Sequence, residues 1–219
     1  MTPAAATGRL VAFEGIDGCG KTTQAHLLAD SIGAVLTHEP GATPLGEELR
    51  RVLLGATGDE DGEGPLGAPS ARAEALLMAA DRAQHVTEVV RPALLAGRHV
   101  VTDRFSASTL AYQGWGRGLA LAPLRALVEW AAGGMEPDLY VLVDVPVAVA
   151  RKRLASGDPD RLERLDEGFF GRVREGYLSL CADHPLRWAL VDGTHAIEVV
   201  AREVATIVAE RLGPTAGCA

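Results

Sequence analysis

The chain has 219 residues, 47% of them hydrophobic and 23% charged, with a formal net charge of −8. That length suits one α/β domain with a sizeable core; an acidic balance without a Lys/Arg tract argues against DNA or RNA polymers as partners, yet leaves small phosphorylated ligands open to a local arginine cluster. Cys19, Cys181 and Cys218 are odd in number and widely spaced, which is neither a disulfide framework nor a zinc pattern and fits a reducing cytosol.

Residues 1–8 lack the basic start and apolar run of a signal peptide and read as a disordered tail. No apolar stretch approaches the ~20 residues of a membrane span, so a cytoplasmic protein is expected. Leu10-Val11-Ala12-Phe13 reads as a buried strand. Gly15-Ile16-Asp17-Gly18-Cys19-Gly20-Lys21-Thr22 follows it and matches G-x-x-x-x-G-K-[ST] in full, and Ala25, Leu28, Ala29 and Ile32 then recur at helical spacing. Strand, glycine-rich loop and helix are the context this phosphate-binding motif requires. The glycines let successive N–H groups turn toward phosphate oxygens, and the helix N-terminus favours an anion there. Lys21 can reach the β- and γ-phosphates, and the Thr22 hydroxyl can ligate Mg²⁺. Gly15 through Thr22, with Thr23, are therefore the expected ATP-binding loop.

Residues 33–37 read as a second strand, and a helix carrying Leu45, Leu49, Val52 and Leu53 on one face follows it. Residues 55–69 are Gly-, Pro- and acid-rich and read as a mobile loop. Ser70 opens a long helix with Ala73, Leu76, Leu77, Ala80, Val89 and Val90 apolar, which Pro92 should kink. Strands are expected at 99–102, 139–143 and 187–191, alternating with helices at 123–132, 147–154, around Phe169 to Leu180, and around Ile197 to Val208. The charged segment 151–167 reads as a short lid. The whole, residues 9–213, is predicted to be one α/β domain, a three-layer P-loop NTPase fold with a five-stranded parallel sheet flanked by helices; residues 214–219 read as a second disordered tail.

A P-loop alone does not separate a small-molecule kinase from a GTPase or a helicase. The strand ends carry further motifs: Phe13-Glu14-Gly15-Ile16-Asp17, Glu39-Pro40-Gly41-Ala42-Thr43-Pro44, Ala80-Asp81-Arg82-Ala83-Gln84-His85, Asp103-Arg104-Phe105, Ala111-Tyr112-Gln113-Gly114 and Asp160-Arg161-Leu162-Glu163. In this order the chain resembles the bacterial thymidylate kinase family, over nearly its whole length. The resemblance implies Mg²⁺-dependent transfer of the γ-phosphoryl group of ATP to dTMP, in a homodimer. It implies Asp17 near the 3′-hydroxyl and phosphate of the acceptor, Arg104 bridging donor and acceptor phosphates, and Arg82 on the base and phosphate. It further implies that the helix with Ser108, Thr109, Tyr112 and Gln113 reads the pyrimidine edge, with Tyr112 excluding a 2′-hydroxyl. Glu39 either orders its loop or touches the metal shell, and Asp103 orients Arg104 or the metal.

The chain departs from the family pattern at four places, the first being His38, where the family often has arginine. Met78 stands where an aromatic usually stacks on thymine, so that it is either a ligand contact or plain core. Ala42 stands for a glycine, predicting a less extreme backbone there. The loop holds Gly18-Cys19 where one branch carries an arginine, so a lid arginine must serve the transition state: Arg161 first, with Arg153 and Arg164 as substitutes and Arg153 also beside ATP. Cys19 reads as a small loop residue; its place at a helix N-terminus would lower its pKa, with oxidation sensitivity as a secondary expectation. The histidines read as surface residues. Rival readings are another nucleotide kinase, differing around Met78, Arg82 and Gln113, and a regulator that binds ATP without turnover; the absence of N-K-x-D opposes a GTPase.

Overall fold

The computed structural model describes residues 8–55, 67–155 and 160–213. Most of both expected tails, of the loop at 55–69 and four residues of the segment at 151–167 lie outside them. Gly8, read as tail, is buried, and its amide donates to the Leu94 carbonyl at 3.0 Å.

Strands β1 (Leu10–Glu14), β2 (Val35–His38), β3 (Val100–Asp103), β4 (Leu139–Asp144) and β5 (Trp188–Asp192) form one parallel sheet in the order β2-β3-β1-β4-β5. Every residue of β1 is buried, and so are the first five of β4, as a strand covered on both faces requires. Each strand runs one residue beyond the apolar stretch that predicts it, ending on Glu14, His38, Asp103, Asp144 or Asp192. The ladder continues through these polar residues, pairing Phe13 and His38 with Asp103 and Asp144 with Asp192. One charged or polar side chain per strand is thereby fixed at the carboxyl edge, where ligands bind in open α/β sheets.

Helix α1 (Lys21–Ile32) follows β1, and α2 (Pro44–Leu54) follows β2. Next come α3 (Ala71–His85), α4 (Arg91–Leu95), α5 (Ser106–Thr109), α6 (Leu121–Ala131), α7 (Val147–Leu154), α8 (Glu167–Asp183) and α9 (Ile197–Leu212). α1 and α9 pack together on one side of the sheet, whereas α3, α6 and α8 cluster on the other, the arrangement right-handed crossovers impose. Ser70 caps α3, its hydroxyl accepting from the Ala73 amide at 3.3 Å. The chain does not break at Pro92. A π-helical turn at Val86–Val90 leads into α4 and absorbs the proline, which sits in that helix's first turn where no amide is needed. A second π-helical turn, Leu110–Gly116, continues α5.

The helix faces differ from the expected ones. On α3 the buried side chains are Glu74, Ala75, Ala79, Asp81, Arg82 and His85, while Leu76 is 53% exposed and Ala80 is also exposed. On α2, Leu53 is buried but Leu45 and Val52 are 49% and 40% exposed. The period is helical as predicted; the phase is rotated because the inner face of α3 carries polar groups that bond to partners on other segments. Ala42 lies outside the left-handed region, as expected, and the neighbouring Gly41 takes φ 111° instead. His85 is fully buried, correcting the surface reading of the histidines.

Candidate active site

Gly15 has φ 140° and Gly18 φ 81°, and a Cβ at either would stand about 2.5 Å from a backbone oxygen, of Val143 and Ala150 respectively. No side chain can occupy those positions, so the loop turns tightly against β4 and α7. Gly20 caps α1 without a side-chain hydrogen bond, leaving the first amides of the helix, those of Lys21, Thr22 and Thr23, open to an anion. Ile16 and Cys19 point inward and are buried. Burial raises the Cys19 thiol above its ordinary pKa, more than Lys21 lowers it. Cys19 is the small loop residue expected, and the secondary expectation of a lowered pKa is corrected: desolvation outweighs the helix terminus.

Arg104 is the centre of the site. Among the described residues it is the one non-glycine with positive φ, at 74°, a conformation that costs free energy and persists only where neighbours fix it. Its amide donates to the Phe13 carbonyl at 2.9 Å, extending the β1–β3 ladder. Nη1 donates to the Gly15 carbonyl, Ser108 Oγ and Tyr177 Oη at 3.2, 3.0 and 3.1 Å, and Nη2 donates to Asp17 Oδ1 and to Tyr112 Oη. Lys21 Nζ reaches the same Asp17 oxygen at 3.2 Å, and Tyr112 donates to Asp17 Oδ2 at 2.6 Å. Burial raises the Asp17 carboxyl, but Arg104 and Lys21 outweigh it and hold the pKa far below the usual carboxylate range.

Two residues that sequence reading passed over support Arg104. Glu14, wholly buried, accepts from the Phe105 and Ser108 amides at 2.9 and 3.3 Å, from Ser108 Oγ at 2.6 Å and from Tyr177 Oη at 3.0 Å. Desolvation nonetheless pushes its pKa to about 7, against those bonds and the Arg104 charge. Tyr177, read only as core, is the hydroxyl linking Glu14 to Arg104. A charged residue ending an apolar strand was the available signal for Glu14; nothing in the pattern distinguished Tyr177.

Arg82 is held by three residues. Nε donates to Glu39 Oε2 at 2.9 Å, Nη2 lies 2.8 Å from that oxygen and donates to the Phe105 carbonyl at 3.0 Å, and Nη1 donates to Thr109 Oγ1 at 3.0 Å. One Nη1 N–H is left uncommitted. His85 Nδ1 lies 2.9 Å from Glu39 Oε1, and its Nε2 lies 2.7 Å from Thr37 Oγ1. Glu39 anchors Arg82 and His85 of α3 from the end of β2. Asp81 Oδ1 accepts the Gly41 amide at 2.9 Å while Oδ2 is buried without a partner, and burial with the nearby Glu39 charge lifts its pKa to about 6.

Asp17, Glu39, Met78, Arg82, Arg104, Ser108, Thr109, Tyr112 and Gln113, all the residues expected at the acceptor, line a single cleft beside the P-loop. Met78 thus faces the cleft and packs against the core at once. Asp160 and Leu162 close the cleft from the charged segment. Two of the three candidate arginines part company. Arg153 donates to the Cys19 carbonyl at 3.1 Å and the Gly193 carbonyl at 2.9 Å, at the P-loop. Arg161 donates to the Leu53 carbonyl at 2.9 Å and to Glu74 Oε2 at 2.6 Å, away from the P-loop. At the other side of the loop Thr22 Oγ1 donates to Asp103 Oδ2, and Asp103 Oδ1 is buried without a partner. A separate hollow of about 950 Å³, lined by Leu110, Arg125, Val128, Tyr140, Leu180 and Trp188 among others, contains none of these phosphate-site residues.

Known proteins resemble this chain. The family described as thymidylate kinase matches residues 13–204. The thymidylate kinase of Cupriavidus necator is 42% identical over 210 residues, covering 92% of this chain and 98% of that one. That of Desulforudis audaxviator is 46% identical over 204 residues, covering 90% and 89%. The crystal structure of thymidylate kinase from Ehrlichia chaffeensis superposes with a TM-score of 0.75 at 30% identity, over 92% of this chain and 99% of that one. The chain is an enzyme of the thymidylate kinase family.

Proposed function

We propose that the chain transfers the γ-phosphoryl group of Mg²⁺-ATP to dTMP, giving dTDP and ADP. The observation that carries this reading is the position of Arg104, bonded at once to the Gly15 carbonyl of the P-loop and to Asp17 on the wall of the acceptor cleft. A guanidinium there can hold an oxygen of each phosphate with its planar fork, which a lysine could not do. An oxygen of the acceptor phosphate attacks the γ-phosphorus in line, the bond from that phosphorus to the β-bridging oxygen breaks, and no covalent enzyme intermediate forms.

The residues of the chain position and neutralise. The P-loop amides and Lys21 take the donor phosphates, Lys21 exchanging Asp17 for a phosphate oxygen. Asp17, ionised at all working pH values, is left to accept the 3′-hydroxyl of the acceptor. Arg153, already at the loop, is the arginine placed to reach the migrating group; Arg161 does so only after leaving Glu74. The residues also suit Mg²⁺: Thr22 Oγ1 and the orphaned Asp103 Oδ1 are hard oxygen donors that would hold it or its water, with ATP oxygens completing the shell. Bound there, the ion would supply positive charge against the phosphates of ATP.

The exposed Leu45 and Val52 of α2 and Leu76 of α3, on helices that pack against each other, support a homodimer joined through these helices. No helix among the described residues is long and apolar enough to cross a membrane, and the spacing of the cysteines supports a cytoplasmic location. The test follows ATP and dTMP by ³¹P NMR. Equal appearance of ADP and dTDP with Mg²⁺, abolished by EDTA, is expected; ATP hydrolysis to ADP and phosphate without dTDP would overturn the reading.

A further inference from the structure

We propose that Glu74 sets the base selectivity of the acceptor cleft by locking the side-chain amide of Gln113 in one orientation; this rests on the reading of the cleft given above. Glu74 stands in the first turn of α3 and is wholly buried. Its Oε1 accepts from Gln113 Nε2 at 2.8 Å and Arg117 Nε at 3.3 Å, and its Oε2 from Arg117 Nη2 at 3.0 Å and Arg161 Nη2 at 2.6 Å. One carboxylate thus joins α3, the π-helical turn after α5 and the Asp160–Glu163 segment. Burial raises its pKa, but the bonds from Arg117, Gln113 and Arg161 outweigh that and keep it ionised.

An ionised carboxylate only accepts hydrogen bonds. The end of Gln113 that faces Glu74 is therefore the NH₂ group, and the carbonyl Oε1 is turned elsewhere. That oxygen accepts nothing among the described residues, and Gln113 lines the cleft. Arg82, fixed by Glu39, keeps one N–H on the same wall. Beside the Thr109 hydroxyl, the wall thus presents Gln113 Oε1 as a fixed acceptor and the remaining Arg82 N–H as a fixed donor.

The N3–H and O4 of a thymine or uracil ring complement that pair. Cytosine offers a lone pair at N3 and an amino group at C4, so it meets acceptor with acceptor and donor with donor. A glutamine free to rotate would turn its amide over and offer cytosine N3 a donor, removing one of the two mismatches. Gln113 cannot, because turning would aim its carbonyl at a buried carboxylate and strip that carboxylate of a partner. Glu74 touches no substrate atom; it is a positioning residue acting through Gln113.

The test compares kcat/KM for dTMP and dCMP in the full-length enzyme. In Glu74→Gln the 113 amide is released, and the dTMP-to-dCMP ratio should fall at least about tenfold, since hydrogen-bonding sites otherwise reject mismatched polar analogues strongly. In Glu74→Gln/Gln113→Glu, the amide at 74 donates to the new carboxylate, whose second oxygen again faces the cleft as an acceptor, and the ratio should recover. Glu74→Asp keeps the negative charge beside Arg117 and Arg161 but is too short to hold Gln113 as well, so it should also lose selectivity and serves if Glu74→Gln does not fold. Equal losses for both nucleotides, leaving the ratio unchanged, would make Glu74 a purely structural ion-pair centre and overturn the proposal. A wild type that does not prefer dTMP overturns the acceptor reading itself, and this inference with it.

Discussion

The guanidinium carbon of Arg104 lies 4.9 Å from the centre of the Tyr112 ring, while Nη2 of the same arginine donates to the Tyr112 hydroxyl at 3.1 Å. The tyrosine therefore has two separable properties: a ring that fills space against Arg104, and a hydroxyl that relays between Arg104 and Asp17. Tyr112→Phe keeps the ring and should keep the preference for deoxyribose, losing only a hydrogen bond between charged neighbours, about 1–3 kcal/mol in transition-state stabilisation. Tyr112→Ala opens the space and should raise the use of ribothymidine 5′-monophosphate relative to dTMP at least about tenfold. Parallel kcat/KM values for the two acceptors decide it.

Glu14 makes stability depend on pH. Its folded pKa of about 7 lies above the unfolded carboxylate value, so the folded state binds the proton more tightly. The contribution is fully present below about pH 4.5 and is lost as pH rises through 7, on the order of 3 kcal/mol across that window. The charged groups around it, Arg104 above all, oppose the shift without cancelling it. Thermal unfolding between pH 5 and pH 8 should show the wild type losing stability relative to Glu14→Gln as pH rises. Parallel curves for the two proteins would contradict the assignment.

The two arginines make a kinetic contrast. Arg153→Ala should lower kcat by a factor of about 10² or more with little change in KM for dTMP, because it removes charge from the donor side. Arg161→Ala should act chiefly on the acceptor side, through Glu74 and the cleft wall that Asp160 and Leu162 form. Steady-state kinetics at saturating ATP separate the two. A kcat collapse in Arg161→Ala with Arg153→Ala near normal would return the transition-state role to Arg161.

Cys19 should resist alkylation. With its thiol buried and its pKa raised, the folded enzyme treated with iodoacetamide at pH 7 should retain activity while the partly exposed Cys181 is modified. Peptide mass mapping reads both sites. Rapid loss of activity that tracks carbamidomethylation of Cys19 would show the P-loop opening to solvent.

How far the sequence reached is clearest on α3. Its helical period, its Ser70 cap and the place of Arg82 were all legible. Its buried face was not, because Glu74, Asp81, Arg82 and His85 are inside only by virtue of partners on β2, the Gly41 loop, α5, the π-helical turn and residue 161. Hydrophobic periodicity assigns such residues to solvent, and it assigned Leu76 to the core. The P-loop was legible because its glycine spacing is dictated by local backbone geometry. The strand ends were legible as motifs but one residue short, since apolar runs stop where polar ladder positions begin. Tyr177 stayed hidden because an aromatic residue at helical spacing looks like core whether or not its hydroxyl is used. The lowered pKa expected of Cys19 was not met because exposure, which decides between the helix terminus and desolvation, is not written in the sequence.

The central claim is that Arg104 and the cleft around it serve one acceptor, dTMP. The direct test is ADP release from Mg²⁺-ATP with dTMP, dUMP, UMP, CMP, GMP, AMP and thymidine offered separately. The account predicts turnover strongest with dTMP and none with thymidine, which lacks the phosphate that Arg104 holds. Preference for a purine or cytidine monophosphate, or no turnover with any acceptor despite ATP binding, would contradict it.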